Sequence, residues 1–273
     1  MLEGSIGESM EKSTTIGIFD SGIGGITVLK EILDLVPDAD ILYLGDSARL
    51  PYGTKSPKTI VRYSLQCADF LVSKGIDMLV VACNTASSHA IPDLKKMYDI
   101  PVIGVVESGS KAAIETGAGR IGVIGTPSTI KSGSYDLALR ALKPEVEVFS
   151  KACPLFVSLV EEGWCSDSIT EQVAARYLDD LIRANVDTLL LGCTHYPLLK
   201  GVIARVMGDK VTIVDSARST ASVVHGLLDG RPRARGHQSL VFYLSDLSPT
   251  FIKLGELFLG KKMEQVHEVD LCL

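Results

Sequence analysis

Two segments of this chain run from an aspartate through five apolar or small residues to a cysteine. One is Asp77-Met-Leu-Val-Val-Ala-Cys83-Asn84-Thr85 and the other is Asp187-Thr-Leu-Leu-Leu-Gly-Cys193-Thr194-His195. A cysteine behind an apolar strand is most often a small core residue. Core strands do not usually hand over to Asn, Thr and His together, so the repeated polar followers favour chemistry. The thiolate is the reactive form, and a free thiol with a pKa of about 8.5 is only a few per cent ionised at neutral pH. A helix beginning after the strand would offer N–H groups that favour the thiolate. Two thiols on opposite sides of one carbon, one ionised and one protonated, would be a base and an acid. They could take a proton from one face and return one to the other.

Other polar residues fall at strand ends. Asp20 and Ser21 lie in Phe19-Asp20-Ser21-Gly22-Ile23-Gly24-Gly25, whose glycines allow a tight turn and close approach of a ligand. The spacing misses the dinucleotide fingerprint, because Thr27 stands at its last glycine position. A carboxylate or amine ligand suits the loop better, and helix capping is the alternative, compatible role. Asp46 and Pro51-Tyr52-Gly53 form a turn or, as the third polar loop on one sheet edge, a pocket wall. His195 is either an acid–base partner of Cys193 or a cap. His89 reads as core or surface, and Glu161 and Glu162 as a solvated helix end. A phosphate-loop near miss, Gly255 to Lys262, lacks the final hydroxyl and reads as helix. No His, Cys and carboxylate cluster has metal-ligand spacing, so no metal is expected.

The elements that must hold these residues alternate along the chain. Strands are predicted at Thr15–Phe19, Ile41–Gly45, Met78–Ala82, Val102–Val106, Ile121–Ile124, Val146–Phe149, Thr188–Leu191, Val211–Val214 and Leu240–Leu244. Helices are predicted between them, among them Gly25–Leu35, Lys58–Lys74, Ala90–Tyr98, Gly109–Glu115, Ser132–Leu142, Ser168–Ala184, Leu198–Met207, Ala217–Leu228 and Ser248–Leu259. Such alternation defines an α/β fold with mainly parallel sheets. The duplication extends further: Thr15 to Ser21 resembles Arg120 to Thr126, and Pro101 to Ser108 resembles Lys210 to Ser216. Three matched strands at nearly constant offset predict two pseudo-symmetric α/β domains. Residues 15–108 with 217–273 would form the first, residues 109–216 the second, and residues 1–14 a flexible extension. Ligands of open parallel sheets bind beyond the strands' carboxyl ends, which puts both cysteines in an interdomain cleft.

Composition narrows the function further. The 273 residues are 46% hydrophobic and carry a net charge of −6, which disfavours a broad nucleic-acid surface. No apolar run nears the roughly 18 residues of a membrane span, and Met1 to Thr15 lack a signal peptide's basic and apolar regions. None of the six cysteines forms a C-x-x-C pair, so reduced thiols in a cytoplasmic protein are expected.

Phe-Asp-Ser-Gly-x-Gly-Gly at 19–25, Gly-Asp at 45–46, Pro-Tyr-Gly at 51–53, Cys-Asn-Thr-Ala at 83–86 and Gly-Cys-Thr-His-Tyr-Pro at 192–197 together resemble bacterial glutamate racemase. The resemblance covers nearly everything after Thr15. It implies a cofactor-independent enzyme that interconverts L- and D-glutamate for peptidoglycan, with one cysteine on each face of Cα. Cys83 would be the base for one enantiomer and Cys193 for the other, each donating a proton in the opposite direction. Asp20, Ser21, Tyr52, Gly53, Asn84, Thr85, Thr194 and His195 match the family's substrate-binding positions. Asp20 and His195 would also assist proton transfer, and Glu161, after Cys153-Pro-Leu-Phe-Val157, matches an acidic helper. Glutamate would be the small-molecule partner, with no membrane or nucleic acid, and a homodimer stays open. The rival readings are an aspartate or hydantoin racemase and a non-catalytic amino-acid-binding regulator.

Overall fold

The structure is a computed structural model and describes residues 13–228 and 239–271. The first part runs β1 (Thr15–Asp20), α1 (Ile26–Leu35), β2 (Asp40–Gly45), α2 (Pro57–Ser73), β3 (Met78–Val81), α3 (Asn84–Met97), β4 (Val102–Gly104) and α4 (Val105–Glu115). It continues as β5 (Arg120–Gly125), α5 (Pro127–Ser132), α6 (Ser134–Leu142), β6 (Glu147–Ala152), α7 (Leu155–Glu161), α8 (Ser168–Arg183), β7 (Thr188–Gly192), α9 (Lys200–Met207), β8 (Thr212–Asp215) and α10 (Ser216–Leu228). The last part is β9 (Leu240–Leu244), α11 (Pro249–Leu259) and β10 (Gln265–Glu268).

The strands form two sheets, ordered β10-β9-β2-β1-β3-β4 and β6-β5-β7-β8. All the pairings are parallel. Within the larger sheet, β2-β1-β3-β4 repeats the order β6-β5-β7-β8, so the three sequence pairs occupy equivalent places. β9 pairs with β2, Val241 opposite Leu42, which adds the C-terminal stretch to the first sheet.

Both faces of the larger sheet are covered, which is why β3 is a continuous apolar run with every residue buried. Ile16 and Ile18 of β1 pack in one cluster with Ile26, Leu29 and Ile32 of α1. Phe19 faces the other side, with Ala68 and Leu71 of α2 and Ala86 and Leu94 of α3. That alternation is the two-residue period of a strand between two helical layers.

Several boundaries differ from expectation. α3 starts at Asn84, six residues before the predicted Ala90, because its polar first turn packs into the protein: Asn84, Thr85, Ala86 and Ser87 are buried. β4 stops at Gly104, and α4 begins at Val105 rather than Gly109. α5 was not predicted and α7 only as a helix end at Glu161 and Glu162, because six and seven residues are too few to display a helical period; β10 was not predicted because Gln265-Val-His-Glu268 carries a single apolar residue. Of the predicted extension only Ser13 and Thr14 are described; the rest of it, His237 and Cys272 lie outside the described residues. Among the described residues, no helix is long and apolar enough to cross a membrane.

Candidate active site

In each sheet the chain builds outward one way from its first strand, then crosses back to build the other way. β1 and β3 flank that reversal in the first sheet, β5 and β7 in the second. Loops leaving the carboxyl ends of such neighbouring strands splay apart and leave a crevice. Asp20 ends β1 and Ser21 follows it, Cys83 follows β3, Thr126 follows β5, and Cys193 follows β7. Both cysteines, Ser21, Tyr52, Gly53, Asn84, Thr85, Glu161, Thr194 and His195 line one cavity of about 410 Å³. A larger cavity of about 830 Å³, bounded by side chains such as Ile91, Val102, Leu137 and Leu142, contains neither cysteine.

Cys83 is the N-cap of α3, and its Sγ accepts from the Ala86 N–H at 3.4 Å and lies 3.5 Å from Ser21 Oγ. The helix N-terminus favours a thiolate. Burial opposes it more strongly, and the Asp20 charge adds to that opposition; together they push the thiol up to about 12. Without ligand, Cys83 therefore holds its proton. Asp20 is fully buried and lies behind the wall rather than in the cavity lining. Its Oδ2 accepts from Gly22 N at 2.9 Å, while Oδ1 has no hydrogen-bond partner among the described residues. Burial raises its carboxyl pKa, against the lowering effect of the His195 charge and the N–H groups of the turn. α1 takes Gly25 as its N-cap with no side-chain cap, so neither Asp20 nor Ser21 is its capping residue.

The other thiol has a different neighbour. Cys193 Sγ lies 4.0 Å from His195 Nδ1, and His195 Nε2 lies 3.2 Å from Glu161 Oε1. Burial disfavours the imidazolium. The hydrogen bonds to Cys193 and Glu161 and the charges of Cys193 and Asp20 outweigh it, so the pKa rises to about 10. Glu161 reaches His195 because Pro154, Ser158 and Glu161 recur at helical spacing and one face of α7 looks into the cavity. The solvated helix end expected at Glu161 is thus also a pocket wall, with about a third of that side chain exposed.

The remaining donors are neutral. Asn84 is buried; its Oδ1 accepts from Tyr135 OH at 2.5 Å, and its Nδ2 is unpaired among the described residues. The Thr85, Thr126 and Thr129 hydroxyls form a triangle with sides of 3.0–3.1 Å that joins α3 to the β5–α5 turn. Tyr52 OH donates to Asp46, which also holds Arg49 Nε at 2.8 Å and Ser245 Oγ at 2.9 Å. Asp46 is therefore the support behind Tyr52, and not the pocket wall considered from sequence. Thr126, another lining residue, was not singled out from sequence. Its signal was present, since Gly125-Thr126 is the duplicate of Asp20-Ser21. Among the described residues, no lysine or arginine lines the cavity. Among the described residues, no group of three His, Cys, Asp or Glu could hold a metal ion.

These features define a class of α/β protein: a small polar pocket at paired strand ends, with a thiol from each sheet in its wall. The chain belongs to the Asp/Glu/Hydantoin racemase family, which it matches over residues 17–224. It is 52% identical to the glutamate racemase of Geobacter metallireducens over 94% of this chain and 96% of that one. The crystal structure of Francisella tularensis glutamate racemase in complex with D-glutamate superposes with a TM-score of 0.91, at 38% identity, over 95% of this chain and 98% of that one. Glutamate racemase from Aquifex pyrophilus is 47% identical, with a TM-score of 0.80, over 93% and 98% of the two chains.

Proposed function

We propose that this chain interconverts L- and D-glutamate by moving protons at Cα between two cysteines, and so supplies D-glutamate for peptidoglycan. The observation that carries the mechanism is the presence of Cys83 and Cys193 in one small cavity, at equivalent strand ends of two similarly ordered sheets. A regulator that only bound an amino acid would need neither thiol. The likeness to glutamate racemases over most of the chain supports glutamate over aspartate. A difference of one methylene in a fitted pocket is worth about 1–3 kcal/mol, so a substrate panel discriminates between them.

In this reading one thiolate removes the Cα proton and the electron pair spreads into the carboxylate. The opposite thiol gives its proton to the other face, leaving the two protonation states exchanged. A positioned base contributes only about 10²- to 10⁴-fold, so fixed donors must hold the growing carboxylate charge. The free Asn84 Nδ2 and the hydroxyls of Ser21, Thr85 and Thr194 are suited to that role. The substrate's ammonium supplies a positive charge that the lining lacks as lysine or arginine. Its arrival offsets Asp20, whose charge helps keep Cys83 protonated. Asp20 thus acts on Cys83 through charge, and His195 with Glu161 serves Cys193. No cofactor takes part in this scheme.

Two units follow from the same reading, residues 15–108 with 217–273 and residues 109–216. The repeated sheet order and the pairing of β9 with β2 support that division. The five described cysteines are free thiols, which suits the cytoplasm. Cys83→Ser and Cys193→Ser are each expected to lower kcat by at least about 10³-fold in both directions while keeping a wild-type circular-dichroism spectrum. Full activity in either variant would remove the paired-thiol mechanism.

A further inference from the structure

A second polar cavity, of about 710 Å³, adjoins the first and shares Gly53, Thr54 and Pro127 with it. Its walls bring together Lys55, His89 and Lys131 with the hydroxyl-bearing residues Ser56, Ser128 and Ser132, and include no carboxylate among the described residues. Among the described residues, neither lysine has an ion-pair partner. His89 Nε2 and Ser128 Oγ meet at 3.0 Å, which joins α3 to α5 across the floor. The N-terminus of the 17-residue α2, capped by Ser56, also opens here and adds its positive end. The Ser56, Ser128 and Ser132 hydroxyls are engaged with Thr59, His89 and Thr129, so the donors left for an anion are the two lysine ammonium groups beside the positive end of α2.

Its position gives it a consequence. The whole chain carries a net charge of −6, and among the described residues no lysine or arginine lines the catalytic cavity. Glutamate is a net anion at neutral pH, so the average field of the protein repels it. Positive charge concentrated beside the mouth reverses that field where it matters. We propose that this second cavity is an anion-binding vestibule that takes the carboxylate of incoming substrate or the phosphate of a competing small anion. The walls come from both sides of the catalytic cavity: Lys55 follows the Tyr52 loop, and Lys131 lies on α5 after Thr126. An anion bridging them ties the two edges of the mouth together. The vestibule's link to turnover rests on the racemase reading; its affinity for anions does not.

The test uses the full chain and the double variant Lys55→Gln/Lys131→Gln, with Lys131→Glu as a second variant. Inorganic phosphate is titrated by calorimetry, and kcat and KM for each glutamate enantiomer are measured across NaCl concentrations. Phosphate binding is expected to weaken about tenfold or more in both variants. At low salt, kcat/KM should fall about three- to tenfold in the double variant with kcat unchanged, and the difference should vanish near 0.5 M NaCl, where screening is strong. Competitive inhibition by phosphate identifies the site as the substrate's first stop. Inhibition or activation that changes kcat alone identifies a separate phosphate-bearing effector. Equal phosphate affinity in wild type and variants, or no phosphate binding at all, would overturn the vestibule. Phosphate binding that depends on the lysines in a protein inert toward glutamate would keep the vestibule and discard the racemase reading.

Discussion

His195 keeps its proton to about pH 10 because Cys193 and Glu161 flank it, even though it is buried. Its pKa in the folded chain is raised above the ordinary histidine value of about 6.5. The stability it contributes is therefore complete below about pH 6.5 and is lost as pH rises through about 10. Glu161→Gln removes one of the two hydrogen-bonding supports. It is expected to move the alkaline limb of the kcat/KM profile toward lower pH by up to about one unit while leaving the Cys83 side intact. An unchanged alkaline limb would mean that Glu161 does not act through His195. At this scale the sequence was most informative where polar residues interrupt apolar runs, as at Cys83-Asn84-Thr85 and Cys193-Thr194-His195. It was silent on depth. Nothing in the string Phe19-Asp20-Ser21 tells which side chain faces the cavity, yet Ser21 lines it and Asp20 is sealed behind it.

Strand ends bring these residues together, and a few glycines let the loops touch. A Cβ on Gly24 would collide with Thr194 Oγ1 and come within 2.6 Å of His195 Nδ1. The β1–α1 turn is thus pressed directly against the loop that carries Cys193. Gly24→Ala should displace His195 and lower kcat by about 10- to 100-fold with a much smaller loss of thermal stability. Circular dichroism on heating and a steady-state assay separate the two effects, and wild-type kcat would show that the contact is dispensable. The long elements were legible because apolar residues recur along them with helix or strand period. The first turn of α3 was not, since Asn84, Thr85, Ser87 and Ser88 read locally as loop. Burial against the rest of the protein outweighs that local preference there. α7 showed only its solvated end at Glu161 and Glu162, because seven residues are too few to display a period, although it delivers Glu161 to the site.

The whole molecule repeats one arrangement, β2-β1-β3-β4 and β6-β5-β7-β8, and each copy carries a cysteine after its third strand in chain order. The charges around the two thiols break that symmetry. Burial, with the Asp20 charge adding to it, keeps Cys83 protonated, while Cys193 faces imidazolium. An acid on one side and a partnered thiol on the other suit a reaction that must run in both directions. The duplication was legible because apolar strands were followed by alike polar residues in the same order. Sheet order was not, because strand neighbours are set by contacts far apart in sequence, such as β9 against β2. The central claim, two bases on opposite faces of one carbon, is tested most directly by turnover of L-glutamate and, separately, D-glutamate in D₂O. Proton NMR at Cα, read early in the reaction, gives the answer. The two-thiol account predicts deuterium in the product enantiomer and none in the remaining substrate, in both directions. Deuterium gained by the substrate before inversion would mean a single exchanging base and would contradict it.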